Sequence, residues 1–259
     1  TKLARNTACW FSRGAARSID RAWATMLARF AAWLYSFVQP SAEAPAAAPR
    51  WDAAAGVWLG NRAAGGVEVP DPLWIFGYGS LCWRPDFPHE ETLVGRCSGW
   101  GRYFAQRSCD HRGTPSSPGL VATMISDAQL EAKGLREPGE PPSTTCGLCY
   151  RVGADDVPRV LANLDFREKG GYTREVVQVQ PARPGAPPVR ALVYSATCDN
   201  PLFSPVMLAD PAAAALTIAS AHGPSGANRD YLESLAAWLR EVEEEDAHVA
   251  ALMRLLPPR

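Results

Sequence analysis

Two short stretches of this chain carry residue types that could do chemistry. The first is Asp165-Phe166-Arg167-Glu168-Lys169-Gly170-Gly171. It closes a helix-patterned segment, and Gly170-Gly171 supplies the stop. A carboxylate at a helix C-terminus meets partial negative charge, which disfavours the anion and raises its pKa. A general base working near neutrality needs that upward shift. The competing reading is a surface ion pair of Glu168 with Arg167, Lys169 or Arg174. The second stretch is Phe76-Gly77-Tyr78-Gly79-Ser80-Leu81, directly after the apolar run Leu73-Trp74-Ile75. Glycine in a strand costs entropy and packs nothing, so it marks a sharp turn or a close approach to the backbone. A Gly-Tyr-Gly-Ser turn can present successive N–H groups as an anion nest, and a carboxylate fits such a nest.

Other chemistries lack their residues. The single Gly-x-Gly has neither the third glycine of a dinucleotide fingerprint nor the lysine of a P-loop. No Gly-x-Ser-x-Gly elbow exists, and no His/Asp pair accompanies a nucleophile. Seven cysteines are scattered through 259 residues, an odd number in a large chain, so a reducing compartment rather than a disulfide framework is expected. Cys146-Gly-Leu-Cys149 is the one Cys-x-x-Cys. Zinc needs four ligands, no second pair stands at ligand spacing, and the flanking residues suit a strand. No metal and no cofactor are expected. His111 and His222 lie in polar turn sequence and read as hydrogen-bonding or solvated residues. The net charge of −1 gives no basic field for nucleic acid.

These candidate residues need elements to position them. Alternation and turn residues predict strands at 73–78, 92–96, 100–106, 120–125, 145–152, 172–180 and 189–196. Residues 110–119 form a turn-rich loop, and 131–142 a surface insertion. Asp155-Asp156-Val157-Pro158 opens a helix with a capping carboxylate and a first-turn proline. Its stripe is Val157, Val160, Leu161 and Leu164. Two late helices are expected at 207–221 and 229–256. Short strands followed by helices predict a mixed α+β domain with a mainly antiparallel sheet, either open or closed into a barrel.

The first 39 residues differ. Lys2, Arg5, Arg13, Arg17, Arg21 and Arg29 face one acid, Asp20, and apolar residues recur at helical spacing from Ile19 to Phe37. Three readings stay open: a piece of an organelle presequence, an interfacial or short spanning helix, and a helix docked on a partner protein. The fourth is a helix packed on its own domain. The expected organisation is a basic helical extension at 1–39, a Pro/Ala-rich linker and irregular wrap at 40–72, and the regular domain at 73–259.

Five stretches, in order, carry a resemblance: "FGYGSLCWRPDFP" (76–88), "DHRGTPSSPG" (110–119), "LDFREKGGY" (164–172), "TCDNP" (197–201) and "GPSGANRDYL" (223–232). Together they resemble the ChaC-type, glutathione-specific γ-glutamylcyclotransferases over residues 73–256. Residues 1–72 lie outside the resemblance. It implies a γ-glutamylcyclotransferase-like small mixed β-barrel with surrounding helices. It implies glutathione as substrate, Glu168 as the catalytic residue, Tyr78, Gly79, Ser80 and Leu81 as the substrate cradle, and Tyr231 near the site. Cys82 departs from the commoner aliphatic residue, without touching a cradle made of backbone. Arg84, Arg107 and Arg112 are the choices for the glycyl carboxylate. The rival expectation is a structural or assembly subunit of a membrane-associated complex that keeps the enzyme fold, attached to a membrane or partner complex through residues 1–39. A plastid or mitochondrial setting is favoured over a cytoplasmic one.

Overall fold

Strand β3 (Trp74–Gly77) is buried along its whole length. Alternate side chains of a strand leave on opposite faces, and here both faces meet a core. Trp74, Phe76 and Tyr78 join one apolar cluster, while Leu73 and Ile75 join another. The turn after β3 is thereby fixed from two sides. The computed structural model describes residues 67–168 and 170–259 in full, and the backbone alone of 50–52 and 57–59. The predicted extension at 1–39 lies outside the described residues. The stretch predicted as irregular wrap contains a strand pair, β1 (Arg50–Asp52) with β2 (Val57–Leu59), in which Trp51 faces Trp58 in register.

Five strands close a barrel in the order β3, β7 (Thr144–Arg151), β4 (Glu91–Ser98), β8 (Thr173–Pro181), β9 (Val189–Ser195). Neighbours are antiparallel except at the closure, where β3 runs parallel to β9 through Ile75 and Leu192. The predicted antiparallel character holds with that one exception. Closure leaves no open sheet edge in the barrel. Strands β5 (Trp100–Ser108) and β6 (Gly119–Ser126) form a separate hairpin, irregular between Tyr103 and Gln106. The turn-rich loop predicted at 110–119 joins them.

Helix α1 (Asp127–Ala132), which the sequence pattern did not predict, starts at Ser126, whose hydroxyl accepts from the Gln129 N–H. Helix α2 (Val157–Arg167) buries Val160 and Leu164 of its predicted stripe against the β3 side of the barrel. The predicted capping bond is absent: Asp156 makes no side-chain bond to the helix N-terminus and pairs with Arg159. The helix predicted at 207–221 is two, α3 (Pro205–Ala209) and α4 (Pro211–Ser220). Pro211 forces Asp210 out of helical geometry, and Asp210 then caps α4. After the short β10 (His222–Gly223) and β11 (Gly226–Ala227), the helix predicted at 229–256 also divides, into α5 (Asn228–Glu241) and α6 (Ala247–Leu255). Glu243 takes a left-handed φ of 56°, three glutamates run together at 243–245, and Asp246 caps the new helix through the Val249 N–H. Tyr231, Leu232, Leu235 and Leu239 of α5 bury one face in the core shared with Phe104 and Met124.

Candidate active site

Glu168 ends α2, and its N–H still donates to the Leu164 carbonyl at 2.8 Å. The chain is anchored on both sides of it. On the helix side, Asp165 is buried and accepts from the Arg174 Nε at 2.9 Å and the Tyr194 hydroxyl at 2.8 Å. That ties the last turn of α2 to β8 and β9. On the loop side, the Asn200 amide donates to the carbonyls of Gly170 and Gly171 at 3.0 and 3.2 Å, while its Oδ1 accepts from the Leu202 N–H. The "TCDNP" stretch thus fastens the Gly-Gly turn, where Gly171 sits at φ 79°, a region open to glycine.

The Glu168 side chain keeps 21% of its surface exposed. Burial pushes its carboxyl above the ordinary carboxylate range, the Arg167 guanidinium pulls it back, and Asp110 adds a smaller push upward. Desolvation leads the upward shift. Arg167 lies 3.5 Å away, from its Nε to Glu168 Oε1. Tyr78, Tyr172 and Tyr231 are all buried, and their phenols are pushed up by burial first, with the charge of Glu168 adding to each. Three buried tyrosines thus lie within range of the Glu168 charge.

The turn after β3 completes the site. Ser80–Cys82 make a single 3₁₀ turn, closed by bonds from the Cys82 N–H to the Gly79 carbonyl at 2.9 Å and from the Trp83 N–H to the Ser80 carbonyl at 3.2 Å. Among the described residues no protein acceptor meets the N–H groups of Gly79, Ser80 or Leu81. These are free donors of the kind a helix start exposes, on three consecutive residues. Arg167 ties the turn to the end of α2: it donates to Ser80 Oγ at 2.6 Å and to the Arg84 carbonyl at 3.1 Å. A Cβ on Gly79 would stand 2.6 Å from the Tyr231 hydroxyl, so glycine there lets α5 and the turn close on each other.

Of the residues singled out from sequence, Tyr78, Gly79, Ser80, Glu168 and Tyr231 converge. Leu81 joins them through its backbone alone, since its side chain goes into the core with Tyr150 and Leu192. The three arginines separate. Arg84 pairs with Asp86 at 2.9 Å and is largely exposed. Arg107 is exposed. Arg112 alone lies over the Tyr231 ring, 5.6 Å from its centre, and donates to the Ala227 carbonyl. The "GPSGANRDYL" stretch holds that wall, because the buried Asn228 amide pairs both ways with the Leu120 backbone, accepting at 2.6 Å and donating at 2.7 Å. Cys82 is no nucleophile: its thiol, pushed up to about 12 by burial, donates to the Gly77 carbonyl. Cys146 and Cys149 are buried free thiols of β7.

Sequence reasoning missed Arg102 and Asp246. The Arg102 side chain is fully buried and donates to the Tyr78 carbonyl at 2.8 Å, to the Cys146 carbonyl, and to Asp246 at 2.8 Å. Nothing local in Trp-Gly-Arg-Tyr-Phe marks that arginine as different from a surface one.

The ChaC-like protein family model matches residues 73–257. The human glutathione-specific gamma-glutamylcyclotransferase 1 is 36% identical over 188 residues, spanning 71% of this chain and 78% of its own. The glutathione-specific gamma-glutamylcyclotransferase of Schizosaccharomyces pombe is 38% identical over 186 residues, 70% of this chain and 90% of its own. A crystal structure of a yeast gamma-glutamyl cyclotransferase specific to glutathione superposes with a TM-score of 0.61 at 29% identity, covering 71% of this chain and 97% of that one. The barrel that carries the glycine turn and the helix that carries Glu168 both fall inside the matched span, and the chain belongs to the ChaC-like family.

Proposed function

We propose that the chain is a glutathione-specific γ-glutamylcyclotransferase with Glu168 as general base and the 78–81 turn as substrate cradle. The observation that carries this reading is the pairing of a desolvated carboxylate with three unpaired backbone donors, joined through Arg167. Glutathione brings its own nucleophile, the α-amine of its γ-glutamyl residue. The N–H groups of Gly79, Ser80 and Leu81 receive the glutamyl α-carboxylate, which bends the substrate back toward Glu168. Glu168 takes a proton from the amine. The amine nitrogen bonds to the γ-carbonyl carbon, and the amide bond to cysteine breaks as the same proton passes to the leaving nitrogen. The products are 5-oxoproline and Cys-Gly. The attack is intramolecular, so held geometry is worth an effective molarity of roughly 10⁵ M or more. Donors of the turn also stabilise the oxyanion that forms.

Arg112 is the cation of choice for the glycyl carboxylate, because it sits on the Tyr231 wall while Arg84 and Arg107 point to solvent. The measurement that tests the whole reading is release of 5-oxoproline and Cys-Gly in equal amounts from glutathione by the purified protein. Intact glutathione after prolonged incubation would overturn it. Residues 1–39 serve attachment to a membrane or a partner complex in this proposal. The reasons are their basic excess, their apolar stripe and the Pro/Ala linker behind them. Among the described residues no helix is long and apolar enough to cross a membrane.

A further inference from the structure

We infer that Arg102 is a positioning residue for the reaction: it orients and polarises the Tyr78–Gly79 peptide so that the Gly79 N–H is aimed at the substrate. This rests on the reading of the 78–81 turn as cradle. In a trans peptide the C=O and the N–H point in opposite directions. Arg102 Nε holds the Tyr78 C=O at 2.8 Å from within the protein. The N–H of Gly79 on the same peptide therefore faces away from Arg102, and no protein acceptor meets it among the described residues. A cation on the carbonyl draws electron density through the amide and makes that N–H a stronger donor, as linked hydrogen bonds reinforce one another in a dry setting.

The guanidinium is itself held on three sides. One arm reaches Asp246, which also caps α6, and another reaches the Cys146 carbonyl on β7. Asp246 balances the buried charge, and a planar fork is what serves three acceptors at fixed angles. A lysine placed there settles on Asp246 as a point charge and leaves the Tyr78 carbonyl.

Tyr78-Gly79 is the only Tyr-Gly dipeptide in the chain. Labelling tyrosine carbonyls with ¹³C and glycine nitrogens with ¹⁵N therefore gives one correlated signal, from the peptide in question. Arg102→Lys is expected to move the Tyr78 carbonyl and the Gly79 amide proton upfield, and to raise the KM for glutathione about tenfold, the loss of a charge-assisted bond. The folded fraction should change little, whereas a merely structural role would lower active protein without moving KM. Glu168→Gln serves as control and should leave both shifts in place. A folded Arg102→Lys protein with unmoved shifts and unchanged KM overturns the inference. A second measurement needs no change at Arg102. Glutathione added to Glu168→Gln should move the Gly79 amide proton downfield, and a stationary signal at saturation overturns the inference even if Arg102→Lys fails to fold. A wild-type protein that releases no 5-oxoproline but shows the expected shift changes in both measurements would refute the proposed activity and leave the orienting role of Arg102 on the Gly79 N–H standing.

Discussion

The two halves of the site are each braced by an arginine, and the braces differ. Arg174 gives its donors to one carboxylate, Asp165, and to the Tyr194 hydroxyl beside it. It holds a helix by side chains alone. Arg102 divides its donors between one carboxylate and two main-chain carbonyls. It holds backbone, in the part of the site where backbone is proposed to bind. A side-chain brace sets where a group stands. A main-chain brace also sets what direction a peptide faces and how strongly it donates. The proposed general base needs only the first, whereas the proposed cradle needs both.

The largest effect expected is on the base. Glu168→Gln should lower kcat by ~10²–10⁴-fold, the loss expected of a missing general base, with an unchanged melting midpoint. A folded Glu168→Gln protein of near-normal activity would remove Glu168 from the mechanism. In wild type, the raised carboxyl means that activity declines on acidification through a value above the ordinary glutamate range. A pH–rate profile that stays flat down to the ordinary range would contradict the burial argument.

Asp165→Ala breaks the side-chain brace and leaves Arg174 with its ionic partner gone. Losing one member of a fully buried pair costs about 3–5 kcal/mol; Arg174 is part-buried and keeps Tyr194 beside it, so a loss below that range is expected, which urea unfolding would read directly. Stability within error of wild type would mean that β8 and β9 hold α2 without it. Gly79→Val attacks the other half. Its side chain meets the Tyr231 hydroxyl, and overpacking costs about 1–3 kcal/mol. Binding should suffer more than folding, so glutathione affinity and melting midpoint need to be compared in the same preparation. Retained affinity would place the cradle elsewhere.

A smaller effect comes from His248, whose Nε2 accepts from the Phe104 N–H at 2.9 Å where β5 is irregular. Burial lowers its pKa below the ordinary 6.5. The folded state therefore binds this proton less readily than the unfolded chain. The His248 contribution is complete above pH 6.5 and is lost as pH falls below it. His248→Gln keeps an acceptor without a titrating proton, and should flatten that part of the stability profile. An identical acid dependence in the variant would assign it to other groups. The smallest effect expected is none: deletion of residues 1–50 should leave kcat and KM unchanged while abolishing cofractionation with membranes or a large assembly. Unfolding of the truncated protein would instead put the apolar stripe in the domain's own core.

The parts of the site legible in sequence were those whose meaning is local. Glu168 precedes a Gly-Gly stop, and the cradle is a run of adjacent residues. The braces were illegible because their partners are remote. Arg102 meets Tyr78 across 24 residues and Asp246 across 144, and Asn228 reaches Leu120 across 108. The strands were visible through alternation, yet the sequence pattern could not say that β3 would be shared by two cores. Both late helices were extended too far, because apolar spacing continues through breaks that a proline and a run of like charges impose.

The parallel pairing of Ile75 with Leu192 at the barrel closure has a consequence for synthesis. The first barrel strand waits for the last. Pairings so distant along the chain form late and slowly, and Tyr194, which steadies both Asp165 and Tyr78, arrives on that same last strand. A ribosome-bound chain that has emerged only as far as Glu168 already contains that residue and the glycine turn, but lacks β8 and β9, which anchor the end of α2. The proposed catalytic competence therefore needs β9 and, after it, Tyr231 and Asp246, and fragments ending before β9 should be inert toward the thiol they are proposed to degrade.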